Sequence, residues 1–504
     1  MSAPNVAIKV QDNGLGQLPS QNGNVLVVIG TSSAGTSYQP LETAAPSVNL
    51  IPSFGYGPGT QLAALINQQS GNPVIFVKAQ TATNGVNSAV TAKVSGGSTS
   101  VMTITGNPND SYYGLVTVLT GCTIGSAGGI LAVSLDAGRT TYVSVNLGTA
   151  TTYAVANTGL TLNFSGGTLV AGDSFTWVST EPLWSDAGVA SALASLYSLP
   201  FGESFLDIAI VGGGGQTTAG GPGVNAGDVT AFDGNATSLF NKRRYTRILT
   251  NARDALWGGT STETEATWIT SIEADHANDS SLRVGVTAGH YNCVSPIDQV
   301  QYRRPLIFFA AARDAQVAIQ VDLGRVKDGA LANMVIPSSP DGFIYHDENL
   351  NPGLDAARFI SATTYVGRPG FYIVNPNLMA PPGSDFNWLQ HGHVIDVASA
   401  IAYNFFVTYL SNSIRVNATT GYPLQQDIND LTLRCKAQLD NALTNAGAVS
   451  STSVTIPSNQ NVLSTSTLNV TIGIVPLGYL KQINVTILFV NPAIQQVQQP
   501  GVSP

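Results

Sequence analysis

Along this chain the arrangement of apolar and polar positions changes three times, and each change predicts a different kind of structure. Val25–Ile29 is an unbroken apolar run closed by Gly30, and Pro73–Ala79 is a second run of the same type. Continuous runs of this length predict strands buried on both faces. Thr60–Gln69 between them suits a short helix with Thr60 as its N-cap. Strand, helix and strand in that order predict a parallel α/β sheet.

From about Thr83 to Ser179 only Lys93, Asp110, Asp136, Arg139 and Asp173 are charged. Short β-type runs recur there between Gly, Ser and Asn turns: Ser100–Thr105, Gly114–Thr120, Ile130–Leu135, Thr141–Leu147, Leu160–Phe164 and Ser174–Val178. This spacing predicts an all-β sandwich or barrel inserted into the α/β core. After Glu181 the α–β alternation returns. Helices are predicted over Asp186–Tyr197, Ala226–Leu239, Thr262–His276 and Arg304–Gln316, with strands over Phe205–Val211, Tyr245–Thr250 and Leu282–Thr287.

The last third has a short strand at Phe371–Val374 and helices at Val394–Leu410 and Leu424–Asn445. Leu424, Ile428, Leu431, Cys435 and Leu439 share one face of the second helix, and Gly447 supplies its stop. Two strict alternations follow. Leu468, Val470, Ile472 and Ile474 alternate with polar residues or Gly, as do Ile483, Val485, Ile487 and Phe489 after Pro476-Leu477-Gly478, Leu488 apart. They predict a long antiparallel hairpin with one apolar face. At the opposite end Val6, Ile8 and Val10 have strand period but no local partner. The resulting division is an arm (1–20), an α/β core (21–82 and 181–365), a β-rich insert (83–180), a C-terminal α+β domain ending in the hairpin (366–492) and an extension (493–504).

Composition narrows the function classes. Apolar residues make up 43% of the 504 positions and charged residues only 10%, against roughly 25% charged in ordinary globular domains. That balance excludes intrinsic disorder. A net charge of −9 with 21 basic residues argues against nucleic-acid binding, which draws its affinity from neutralising phosphates. Such a surface is either solvated by Ser, Thr, Asn and Gln or covered by other copies of the chain, since interface cores are depleted in charge.

Met1–Val6 has no basic segment leading into an apolar one, and no run reaches the ~18 apolar residues of a spanning helix. Cys122, Cys293 and Cys435 are widely spaced without a CxxC pair, which fits a reducing compartment. The expectation is folding in a cytoplasm without membrane insertion.

Candidate chemistry fails on spacing. Gly30-Thr31-Ser32-Ser33-Ala34-Gly35-Thr36-Ser37 has the outline of a phosphate-binding loop, but Thr36 stands where the phosphate-binding Lys is needed. Gly212–Gly215 follows a strand yet lacks the third glycine and the helix start that a dinucleotide needs. His391-Gly392-His393 with Asp396 could offer three metal ligands, but lacks an HExxH or Cys/His framework and reads as a capping or solvated feature. His346 lies in a turn-like stretch, and His290 with Cys293 fixes no thiol–imidazole geometry. Ser32 and Ser261 have no nucleophile-elbow context. Lys242-Arg243-Arg244 with Arg247 reads as a helix-end charge set or a partner contact. No catalytic, cofactor or metal site is expected.

The order of parts, taken whole, resembles the contractile tail sheath proteins of bacteriophages. The resemblance rests on Val25–Gly30 with Thr31-Ser32-Ser33-Ala34-Gly35, on the insert ending Gly172-Asp173-Ser174-Phe175-Thr176-Trp177, and on Gly370-Phe371-Tyr372-Ile373-Val374, His393–Phe406 and Leu468–Val490. It implies a subtilisin-like α/β core without protease activity, an outward β-rich insert and a C-terminal sheath domain. It also implies a non-enzymatic virion subunit, assembled in a bacterial cytoplasm as a helical homo-oligomer. Tail tube, baseplate and tail terminator proteins would be its partners. Val6, Ile8 and Val10, with the alternating residues from Leu468 to Phe489, are then the expected inter-subunit strand-exchange positions. An alternative is another virion or surface-layer structural protein with a β-rich adhesive domain; a hydrolase on the α/β core fits least.

Overall fold

The computed structural model describes residues 25–43, 50–199, 205–213, 223–225, 227–256, 263–335 and 342–487. The arm, the extension and Phe489 lie outside the described residues.

The first apolar run forms β1 (Leu26–Gly30), all of it buried. An edge strand β2 (Leu41–Thr43), helix α1 (Pro58–Ser70) and β3 (Val74–Lys78) follow. Helix α1 begins ahead of the expected cap, after Gly57 at φ 143°, and Thr60 is buried inside the helix without a capping role. Pro58 explains the shift, because its ring presets helical φ where no N–H is needed. Gly59 lets the helix close on the sheet: a Cβ there would stand 3.0 Å from the Gly30 Cα.

The insert comprises β4 (Thr91–Lys93), β5 (Met102–Thr105), β6 (Tyr112–Thr120), β7 (Ile130–Ser134), β8 (Val143–Asn146), β9 (Thr152–Val155), β10 (Leu160–Phe164) and β11 (Ser174–Ser179). They build a five-stranded sheet, β8–β7–β6–β11–β4, and a three-stranded sheet, β9–β10–β5. Inward residues such as Val116, Leu131, Leu162 and Phe175 form their own buried core. The Trp177 ring lies over Gly114, where a Cβ would come within 2.0 Å of it.

The chain then re-enters the core through α2 (Asp186–Ser195), β12 (Asp207–Ile210), α3 (Asp228–Asn241), β13 (Arg247–Asn251), α4 (Glu265–Asp275) and β14 (Val284–Thr287). The six-stranded sheet runs β14–β13–β12–β1–β3–β2, parallel throughout except for β2. Successive residues of one strand serve opposite faces, as strand geometry dictates. Leu26 and Val28 pack with α1, while Val27 and Ile29 pack with α2, α3 and α4. Helices cover both faces, as a parallel sheet requires.

The helix expected over Arg304–Gln316 is shorter, and Arg304 is not in it. β15 (His290–Val294) pairs antiparallel with β16 (Gln301–Pro305), and only then does α5 (Ile307–Asp314) begin. Pro305 holds the residue before it in extended backbone. Arg304 is thereby placed, fully buried, where the insert meets the core. Its Nη2 lies 2.6 Å from Asp110 Oδ2 and its Nη1 3.4 Å from Glu181 Oε2, at the two ends of the insert. Gln61 of α1 donates to the same Asp110 oxygen at 3.0 Å. Burial pushes Glu181 up to about 8, partly opposed by Arg304. Burial works against the Arg304 charge, but Asp110 and Glu181 outweigh it and hold the guanidinium above its usual range. Beside this contact Val300 and Tyr302 enter the insert's own apolar core.

The last third opens with the hairpin β17 (Ala362–Tyr365) and β18 (Arg368–Ile373), which lies across the expected boundary at 365. Then come α6 (Leu389–Val407), α7 (Gln425–Leu439) and the antiparallel pair β19 (Ser451–Thr455) and β20 (Thr471–Val475). The two helices start and stop differently from the expected Val394–Leu410 and Leu424–Asn445, and α7 ends in a π-turn over Asp440–Thr444. Among the described residues no helix is long and apolar enough to cross a membrane.

Two expectations follow from these contacts. Replacing Arg304 by Met would leave Asp110 buried without its cation, so urea unfolding should show a loss of about 3–5 kcal/mol. The second concerns His346, fully buried between Glu265 Oε1 at 2.9 Å and Glu348 Oε2 at 3.0 Å. Burial lowers its pKa, but the hydrogen bonds to both glutamates outweigh this and the net shift is upward. Its stabilising contribution should therefore be complete below the unfolded pKa of about 6.5. It should fall away as pH rises through the higher folded value. A melting series across that range in the wild type and His346→Gln checks this, the two curves converging at alkaline pH.

Candidate functional site

The C-terminal domain is positioned on the core by charge. Lys242 and Arg243, at the end of α3, lie over the rings of Tyr197 at 5.1 Å and Tyr403 of α6 at 5.3 Å. Arg247, the first residue of β13, is buried and forks onto Asp396 of α6 with bonds of 2.7 and 3.0 Å. Arg243 and Arg247 thus meet the protein's own C-terminal helix, while Lys242 and Arg244 contact the Tyr197–Leu199 segment of the core.

His391, His393 and Asp396 do not converge. His393 is buried with its Nε2 2.7 Å from Asp207 Oδ2, Asp396 is taken by Arg247, and His391 stacks near Trp388 and Tyr479. What sequence spacing could not show is that Asp314, at the end of α5, joins Asp207 and His393 with ligand atoms all within 4.8 Å of one another. Burial and the neighbouring Asp207 push the Asp314 carboxyl well above the carboxylate range. Burial opposes a charge on His393, but Asp207 and Asp314 outweigh it and bring the ring up to about 9.

Thr31 and Ser32 are buried in the turn after β1, with the Ser32 hydroxyl donating to the Ala34 carbonyl at 3.1 Å. His290 and Cys293 are buried, and burial pulls His290 down to about 4 and lifts Cys293 to about 12. Such a pair holds neither a thiolate nor an imidazolium at neutral pH. Gly214, Gly215 and Ser261 lie outside the described residues.

The expected hairpin between the two terminal alternations is not formed among the described residues. β20 pairs instead with β19, in the register Thr452↔Ile474 and Val454↔Ile472. Leu468, Val470, Ile472 and Ile474 are half-buried against Phe405, Ile428 and Leu439 of the two helices. The second alternation lies open: Ile483, Val485 and Ile487 are 71%, 74% and 89% exposed and belong to no described strand. An apolar alternation can be satisfied by a local hairpin or by any other strand edge, and period alone does not say which. Val6, Ile8, Val10 and Phe489 lie outside the described residues.

Between β20 and this open segment the chain is clamped. Tyr479 Oη donates to the Gln320 carbonyl at 2.6 Å, and Lys481 pairs with Asp322 while its Nζ sits 4.9 Å above the Trp388 ring. Burial, with Asp322 nearby, raises the Tyr479 phenol to about 12. Alongside runs a groove of about 520 Å³, lined by Phe386, Trp388, His391, Val394, Ile395 and Ile474 among others. The outcome is a two-stranded sheet beside an apolar groove, next to an extended apolar segment fixed at its base.

Residues 3–377 match the N-terminal domain of the DUF2586 family, and residues 385–494 match its C-terminal domain. No curated protein matches the chain. Among solved structures, similarity is found to a sheath tail protein of Desulfitobacterium hafniense, at 12% identity over 94% of this chain and 100% of that one, with a TM-score of 0.44. A sheath tail protein of Listeria innocua matches at 12% identity over 90% and 96%, TM-score 0.44. The contracted sheath complex of an extracellular contractile injection system, PVC, matches at 10% identity over 98% and 99%, TM-score 0.49.

The clamp can be tested directly. Lys481→Met removes the ion pair and the cation–π contact, while Asp322 keeps its bonds from Gln390 and the Gly324 amide. Amide exchange over 479–487 should quicken by about fivefold, equivalent to about 1 kcal/mol, with the core amides unchanged.

Proposed function

This chain belongs to the DUF2586 family, and we propose that it is the subunit of a contractile tail sheath. Copies polymerise helically around a tail tube and contract to drive the tube through a host envelope. The carrying observation is the open apolar segment at Ile483–Ile487, alternating in strand period, beside the two-stranded sheet β19–β20. A sheet of two strands keeps an unpaired edge on either side, and unpaired edges recruit further strands. An exposed donor and an incomplete acceptor in one chain describe a head-to-tail contact, and such contacts build open helical arrays when the rotation does not close. The positions that exchange strands are Val6, Ile8 and Val10 of the arm, Leu468, Val470, Ile472 and Ile474 at the acceptor, and Ile483, Val485, Ile487 and Phe489 at the donor.

On this reading the wound α/β core is of subtilisin-like type without its chemistry, and the insert faces outward. Contraction is rigid-body rotation of subunits joined by exchanged strands, and a barrier holds the extended state. Tube, baseplate and terminator proteins meet the sheath in the virion tail. Purified full-length protein should form rings or striated tubes under negative stain. Chains lacking 1–20 or 482–504 should stay monomeric at an unchanged melting temperature. Truncated chains that still polymerise would sink the strand-exchange reading.

A further inference from the structure

Asp207, Asp314 and His393 come from three separate parts of the chain and meet in the interior, 0%, 2% and 2% exposed. Asp207 opens β12, Asp314 is the last residue of α5 and His393 lies in the first turns of α6. Two features of the group are not accounted for by hydrogen bonding among its members. Asp314 Oδ2 is buried without any hydrogen-bond partner. Asp314 also stands at the C-terminal end of its helix, where the helix dipole disfavours a carboxylate. A second carboxylate, Asp207, lies beside it. His393 answers Asp207 through their 2.7 Å contact and the Arg247 guanidinium is already forked onto Asp396, so neither cation reaches Asp314 Oδ2.

We propose that Asp207, Asp314 and His393 bind one divalent first-row transition cation, which fastens the C-terminal helix α6 to the core. Two carboxylates and an imidazole form a mixed oxygen and nitrogen donor set of the kind that zinc accepts. The ion's double charge balances both carboxylates at a fully buried site. The surroundings also fit. Asp207 Oδ1 accepts the Arg247 backbone N–H at 3.2 Å, which orients the carboxylate and leaves Oδ2 facing the group; such outer contacts are what aim metal ligands. To ligate, His393 Nε2 gives up its 2.7 Å hydrogen bond to Asp207 and presents a lone pair instead. A site this deep takes up its ion as the chain folds, so metal binding and docking of α6 are one event.

Metal content decides the matter. Full-length protein from zinc-supplemented culture should carry one zinc per chain after gel filtration in chelator-containing buffer, measured by inductively coupled plasma mass spectrometry. Asp314→Asn and His393→Gln should lose it. Protein from cobalt-supplemented culture should show a visible ligand-field band that both variants lack. Full-length chain that purifies without stoichiometric metal from zinc, manganese and cobalt cultures overturns the site. So does either variant keeping its full metal content. Should the variants not fold, the wild-type metal content and cobalt spectrum still settle it.

Discussion

A guanidinium in the interior is stable only when its partners are fixed around it, and Arg304 makes this protein one object. Its ligands come from α1, from the segment leading into β6 and from the segment returning from β11. A charge so placed is costly to bury alone and strongly held when paired. The insert is therefore positioned against the core by an interaction that tolerates little displacement.

The same device recurs elsewhere. Arg247 ties α6 to β13, and Arg303 reaches Asp254 at 2.6 Å while lying over the rings of Phe343 and Tyr345. Arg139 of the insert lies over that same Phe343 ring. Among the described residues Arg247, Arg253, Arg303, Arg304 and Arg313 are all buried. A chain with only 21 basic residues thus keeps several inside, which deepens the shortage of charge outside. The insert's surface is solvated by Ser, Thr and Asn, and the C-terminal surface carries the open apolar segment.

How much of this was legible in the sequence depends on range. Buried runs and strict alternations report local period, so β1, β3, β10 and most of the insert stood where their patterns put them. Helix starts were less readable, since Pro58 and Pro305 moved them by backbone restriction that periodicity does not register. Thr152–Val155 gives only a weak alternation, because Tyr153 and Val155 alternate with the small residues Thr152 and Ala154. The pairing of β20 with β19 needed distant information: Ser451–Thr455 alternates Ser and Thr with a single Val and carries little apolar signal. The meeting of Asp207, Asp314 and His393 had no local signal at all, because three unrelated segments supply it.

Because Val300 and Tyr302 are built into the insert's apolar core, the insert has no hinge plane of its own against β16. It behaves as a handle cast in one piece with the body it is attached to. The turn at Gly125-Ser126-Ala127-Gly128 is exposed, and neither of its glycines has a neighbour within Cβ reach. A fluorophore or epitope grafted at that turn would turn with the core through the same angle, reporting the body's orientation with no slack between them.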